Sequence, residues 1–207
     1  STTRTVDQTQ IARFWADGAG TYTPAGHWDQ IAEQIALKQG NSLSANARLF
    51  AELNVALADA AITAWNTKYD YNFWRPITAI QEADTDGNPL TIADPNWQPL
   101  LITPPFPEYI SGHSTFSGAA AEILTNIFGD SVGFSTTSLG LPNVTRSFTS
   151  FEQAAQEAGR SRVYGGIHFE FSNQDGLTAG QQVADAVLSR FTVTADIQGP
   201  KILLDTT

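Results

Sequence analysis

The residues able to do chemistry fall in three short stretches of the 207-residue chain. Lys68-Tyr69-Asp70-Tyr71-Asn72-Phe73-Trp74-Arg75-Pro76 sets two cations seven residues apart among aromatic rings. Ser111-Gly112-His113 follows a loop stiffened by Pro104, Pro105 and Pro107. Ser161-Arg162-Val163-Tyr164-Gly165-Gly166-Ile167-His168 adds a third cation and a second imidazole. Guanidinium forks and an ammonium group suit an oxyanion. A helix start offers unpaired N–H groups and a partial positive charge to the same ligand. A hydroxyl adds a donor, glycine lets the backbone approach closely, and imidazole can ligate, attack or carry a proton. Taken singly, such residues are more often surface charges or structural imidazoles, so the joint pattern carries the reading. Arg162 and His168 are six apart and do not share a helix face, so Gly165-Gly166 must turn the chain if both are to meet one anion.

The background charge makes this cluster informative. The chain holds 11 Lys plus Arg against 21 Asp plus Glu, a formal net charge of -10. That opposes binding to nucleic acid or to an acidic membrane surface. No Cys is present, which excludes disulfides and thiolate metal sites. No run has the length of a membrane span, and no basic, apolar leader opens the chain. It begins Ser1-Thr2-Thr3, which reads as a processed form or an excised piece of a longer protein. The compartment stays open, with a periplasmic or extracellular one favoured over the cytoplasm. Oligomeric state is not legible.

Helices must position these groups. Apolar periodicity predicts helices over about Thr5–Asp17, His27–Gln39 and Ala45–Thr67, the last with Ser44 as N-cap. Leu49, Leu53 and Leu57 mark the third as the central helix, and its alanines leave one face thin. Arg75-Pro76 predicts a break and a helix from Pro76 to about Ala83. The stretch from Asp84 to Ile110 holds six of the ten prolines and reads as irregular. Within it, Asp84-Thr85-Asp86-Gly87-Asn88 has half of a calcium-loop pattern without the later Glu, and reads as a polar turn. Further helices are expected at Ser111–Phe128, from Ser150 towards Arg162 behind a capping-box pattern, and at about Gln174–Phe191. Gly129–Thr149 reads as a loop, and Thr192–Thr207 gives weak signals. The expectation is an all-α, multi-helix bundle in one domain, residues 1–207.

Lys68–x6–Arg75-Pro76, then Ser111-Gly112-His113, then Ser161-Arg162–x5–His168 resembles the three-part signature of the vanadium-dependent haloperoxidase and type-2 phosphatidic acid phosphatase superfamily. Phe14-Trp15-Ala16-Asp17-Gly18 and Phe171–Val183 are similar to its bacterial haloperoxidase branch. The resemblance implies that Lys68, Arg75 and Arg162 hold the equatorial oxygens of vanadate, or of phosphate in the same site. Ser111 and the Gly112 N–H would add hydrogen bonds. His168 would be the apical vanadium ligand, with His113 as the acid–base group and Lys68 assisting. Trp65 and Phe106 resemble aromatics lining the halide side of the pocket, and Asp17 the carboxylate partner of Arg162. Two positions depart from the pattern: Ser172 stands where an orienting Asp is usual, and Ile110 where Pro commonly precedes the Ser.

The function implied is halide oxidation by hydrogen peroxide on bound vanadate. The alternatives are an acid phosphatase acting on phosphomonoesters through phospho-His168, and a non-catalytic oxyanion-binding domain. Small-molecule substrates are expected, with no nucleic-acid partner. Members of the haloperoxidase branch are often considerably longer, so an N-terminal region is expected to precede this piece or to come from another chain.

Overall fold

The computed structural model describes residues 3–192. In chain order the elements are α1 (Val6–Phe14), α2 (Thr23–Gln39), α3 (Leu43–Tyr71), α4 (Pro76–Gln81), a 3-10 turn (Ala83–Thr85), α5 (Gly112–Phe128), β1 (Phe134–Thr137), β2 (Thr145–Phe148), α6 (Phe151–Tyr164) and α7 (Glu170–Thr192). The fold is an all-α bundle carrying one small hairpin, as expected for its class. Among the described residues, no helix is long and apolar enough to cross a membrane.

Helix α5 is the centre, packed by α7, α6, α3 and α2. Its sequence explains that position. Gly118, Ala119, Ala120 and Ala121 keep it thin, while Ile123 and Leu124 fill the core. The α5–α7 crossing is so close that a Cβ at Gly118 would lie 2.3 Å from the Leu177 carbonyl oxygen. One at Gly180 would lie 2.1 Å from the Thr115 carbonyl oxygen. Trp15 and Trp28 are buried, and their indole N–H groups find partners in Glu157 (2.9 Å) and Ser117 (3.0 Å).

Local capping sets the helix starts. Ser42, rather than Ser44, caps α3 by accepting from the Ala45 N–H at 3.2 Å, so α3 begins two residues earlier than expected. It also runs four residues further, to Tyr71, which keeps Lys68 on a continuous helix. Pro24 in the first turn of α2 starts that helix at Thr23 instead of His27. Helix α7 likewise begins at Glu170, ahead of the expected Gln174. Ser150 caps α6, but the capping box does not close: the Gln153 side chain accepts from the Thr149 N–H at 2.7 Å. Arg75 is extended (φ −82°, ψ 156°), and Pro76 opens α4. Asp86 accepts from Asn88 N–H and from the Thr91 hydroxyl, the polar turn expected there. Among the described residues, no three or more acidic or His side chains are grouped so as to hold a metal ion.

The stretch Gly129–Thr149 departs from expectation, because it folds as the β1–β2 hairpin. Phe134 pairs with Phe148 and Thr136 with Arg146. Alternation is too short there to stand out in the sequence, but Phe134 stacks on Phe151 and Phe148 is buried, which anchors the hairpin to α6. The tail beyond Thr192 lies outside the described residues.

Candidate functional site

Four segments converge beside the start of α5. Ser111 is its N-cap, accepting from the Ser114 N–H at 3.4 Å. The first turn leaves the Gly112 and His113 N–H groups without intrahelical partners. A Cβ on Gly112 would lie 3.2 Å from the Trp65 ring, so glycine permits that contact. The Ser114 hydroxyl lies 2.8 Å from Ser111 Oγ and 2.9 Å from Asn173 Oδ1. The Ser111 N–H donates to the Ser172 carbonyl at 3.2 Å, tying the α5 start to α7.

Lys68 sits in the last turn of α3 and is 1% exposed. Its ammonium donates to the Glu108 carbonyl at 2.9 Å and to the Ile110 carbonyl, fastening the proline loop to α3. Burial and the neighbouring Arg75 pull its pKa down from the ordinary 10.5 to about 7, against the opposing pull of Glu108. Arg75 donates to the carbonyls of Phe106 (3.0 Å), Ile167 (2.8 Å) and Pro107 (3.3 Å). Burial brings it down to about 10. Arg162, in the last turn of α6, donates to the Trp15 carbonyl at 3.3 Å. Its Nε is buried with no hydrogen-bond partner. Burial lowers Arg162 to about 10, opposed by the charge of Asp17.

Gly166, at φ 75°, makes the turn that carries the chain from α6 to His168. The His168 Nδ1 lies 2.6 Å from Glu108 Oε1. That oxygen also accepts the Phe169 N–H at 3.0 Å, so it is an acceptor and the ring proton sits on Nδ1. Nε2 therefore presents a lone pair, met by Arg75 NH1 at 3.1 Å. Burial, then the charges of Arg75, Lys68 and Arg162, hold His168 well below its ordinary pKa, so the ring is neutral. Burial and Arg162 do the same to His113, whose Nε2 is 3.3 Å from the Ala16 carbonyl. The carbonyl fixes the His113 proton on Nε2 and leaves Nδ1 as the acceptor.

Gly112, His113, Arg162 and His168 line a cavity of about 860 Å³. Trp65, Phe106 and Phe116 form an aromatic wall, and Asp17 also borders it. The rings of Trp65 and Phe106 are 5.4 Å apart, and Lys68 Nζ lies 5.9 Å and 5.4 Å from their centroids. Lys68, Arg75 and Ser111 stand behind this lining, with Lys68 and Arg75 bonded to loop carbonyls.

Two features were not anticipated from sequence. The missing Asp at position 172 is answered from elsewhere, because Glu108 supplies the carboxylate on His168. Its signal was a lone acid in the apolar, proline-rich run between Asp94 and Ser111. Burial raises the Glu108 pKa, opposed by the Phe169 N–H and the nearby Ser172 hydroxyl. The hydroxyl stops short of a formed bond, leaving Glu108 Oε2 and Ser172 Oγ without partners. Asp17, expected against Arg162, instead hydrogen-bonds His27 Nδ1 at 3.0 and 3.2 Å and reaches Arg162 only through its field.

Residues 48–196, well over half of the chain, match the family model of the "VCPO second helical-bundle domain". The chain belongs to this family of vanadium chloroperoxidase helical-bundle domains. Among curated proteins it is 35% identical over 153 residues to the vanadium chloroperoxidase of Curvularia inaequalis, covering 64% of this chain and 25% of that protein. Among solved structures it superposes on the first bacterial vanadium-dependent iodoperoxidase with a TM-score of 0.80 at 39% identity, over 89% of this chain and 44% of that one. A bacterial vanadium-dependent chloroperoxidase in its holo form superposes at 0.74 with 19% identity, a likeness of fold, over 93% and 45% of the two chains. The chain thus spans about a quarter of the curated relative and less than half of the solved ones.

Proposed function

We propose that the described bundle carries the oxyanion site of a vanadate-dependent haloperoxidase and that residues 1–207 act as a single helical domain in it. The observation that carries this reading is the His168 ring. Glu108 holds its proton on Nδ1, and its Nε2 lone pair is turned among three buried cations. The donor set fits vanadate. Lys68, Arg75 and Arg162 bring up to three positive charges into a desolvated space, and Glu108 with the field of Asp17 offsets two of them, leaving a positive balance for an anion. Arg162 Nε is buried and unpaired there, which an anion's oxygen would satisfy.

Vanadate held there would supply a Lewis-acidic centre that activates hydrogen peroxide towards halide without changing oxidation state. Lys68, Arg75 and Arg162 would balance its charge, and Ser111 with the Gly112 N–H would offer donors to it at the helix start. His168 Nε2 would be the ligand atom, its basicity raised by the Glu108 carboxylate that accepts from Nδ1. His113 Nδ1 accepts and returns the proton on the cavity side, its ring held by Ala16 O. Trp65 and Phe106 keep that side dry and apolar.

The test is titration with orthovanadate by calorimetry. Oxidation of iodide, bromide and chloride by hydrogen peroxide follows, beside p-nitrophenyl phosphate hydrolysis without vanadate. Halide oxidation that depends on vanadate is the expected result. Hydrolysis inhibited by vanadate, with no halide oxidation, would replace this reading with the phosphatase. Binding with neither activity would reduce the site to an oxyanion-binding domain.

A further inference from the structure

His27 is the one histidine that the proposed chemistry does not use, and its bonds lead to the cavity. Three consecutive residues after α1 each hold one side chain. The Trp15 carbonyl accepts from Arg162 NH1 at 3.3 Å, the Ala16 carbonyl from His113 Nε2 at 3.3 Å, and both Asp17 oxygens lie within 3.2 Å of His27 Nδ1. We propose that His27, by clamping Asp17, is a positioning residue that fixes the Trp15–Asp17 backbone against Arg162 and His113.

The geometry supports this in three ways. Asp17 sits at φ 40°, a left-handed conformation that a non-glycine residue keeps only when its surroundings hold it there. His27 supplies that hold from a fully buried place, 0% exposed, stacked on Trp15 at 4.7 Å and edged by Tyr22 at 5.2 Å. Its second nitrogen is anchored as well, with Nε2 3.1 Å from the hydroxyl of Thr136 on β1. A purely apolar cage of this kind would take phenylalanine in place of the imidazole. The imidazole instead bonds on both sides, to a carboxylate bordering the cavity and to the hairpin. The hairpin thereby gains a purpose: it carries Thr136, which sets the plane of the ring.

The proposal rests on the haloperoxidase reading only in its anion arm, so two readouts are paired. The first is ¹⁵N-histidine NMR, which reports the tautomer of His113 whatever the protein binds. The second is calorimetric affinity for orthovanadate. In the unmodified protein His113 carries its proton on Nε2. His27→Phe keeps the stacking and removes both hydrogen bonds. We expect a mixture of His113 tautomers and a roughly 10- to 100-fold loss of vanadate affinity, the usual span for an outer-shell partner. His27→Asn, whose amide nitrogen stands where Nδ1 does and can still donate to Asp17, should recover the tautomer and most of the affinity. A folded His27→Phe with the tautomer unchanged and vanadate bound as before would overturn the proposal and leave His27 as packing alone. Should His27→Phe not fold, Thr136→Val decides, because it keeps the volume and removes only the Nε2 partner. A shifted His113 tautomer supports the clamp, and an unchanged one overturns it. If the unmodified protein does not bind vanadate, the haloperoxidase reading fails while the tautomer readout still decides the role of His27.

Discussion

Lys68 makes anion binding a proton-coupled event, and the size of the coupling follows from its burial. The side chain is 1% exposed, and its pKa stands at about 7 rather than 10.5. The desolvation responsible applies to the free pocket. A dianion beside the ammonium restores the charged form, so the bound pKa rises and binding above pH 7 takes up a proton. Sulfate is the cleanest probe, since its own charge is constant across the range. If the bound pKa returns to about 10, sulfate affinity falls by roughly 100-fold between pH 6 and pH 9. Calorimetry in buffers of different ionisation enthalpy should then record uptake of about one proton at pH 8. A dianion raises His113 and His168 as well, but from well below this window, and the Lys68→Met variant separates their share from that of Lys68. A Lys68→Met variant should bind sulfate weakly and without the slope. A flat sulfate affinity from pH 6 to 9, or the same slope in Lys68→Met, would refute the reasoning. The stability sign also follows. The folded pKa lies below the unfolded one, so the folded chain binds fewer protons between about pH 7 and 10.5. The Lys68 contribution to stability therefore increases across that window, by an amount on the order of 5 kcal/mol.

The Glu108→Gln variant keeps the shape but removes the charge that makes His168 Nε2 a strong ligand. Calorimetry should show vanadate affinity falling roughly 10- to 100-fold, with sulfate, which needs no ligand bond, losing much less. Equal losses for both anions would count against His168 as the ligand. His168→Ala should show the same split more strongly. Gly180→Ala forces a Cβ onto the Thr115 carbonyl oxygen, 2.1 Å away. The α5–α7 seam must then open, and thermal denaturation should show a loss of about 1–3 kcal/mol, as overpacking does. Ser172→Ala deletes a buried hydroxyl with no formed partner, so thermal denaturation should place its stability within about 1 kcal/mol of the parent.

The helices were legible because their punctuation is local: Ser111 before Gly112, Pro76 after Arg75, Gly129 after Phe128. Their ends moved where a nearer signal won, as with Ser42 over Ser44 and Pro24 ahead of His27. The cations and histidines of the site were legible from residue type and order. Glu108 was not, because it lies in a loop with no period, and sixty residues of chain separate it from the imidazole it holds. Thr136 and His27 were hidden for the same reason. Their bond spans 109 residues and depends on a hairpin whose strands are four residues each. Spacing encodes what one helix can bring together, but loop closures of this length leave no trace in it.

The bonds that assemble the cavity all join distant parts of the chain: Lys68 to Ile110, Arg75 to Ile167, Trp15 to Arg162. None survives in a partly open bundle, so the pocket exists only where α1, α3, α5 and α6 are docked at once. An oxyanion that binds there therefore recognises the native state alone. At a hundred times its dissociation constant it should add about 2.7 kcal/mol to the unfolding free energy. It should also slow amide exchange across all four helices together. Thermal shift against orthovanadate, phosphate and sulfate would then rank the affinities of the site without any turnover.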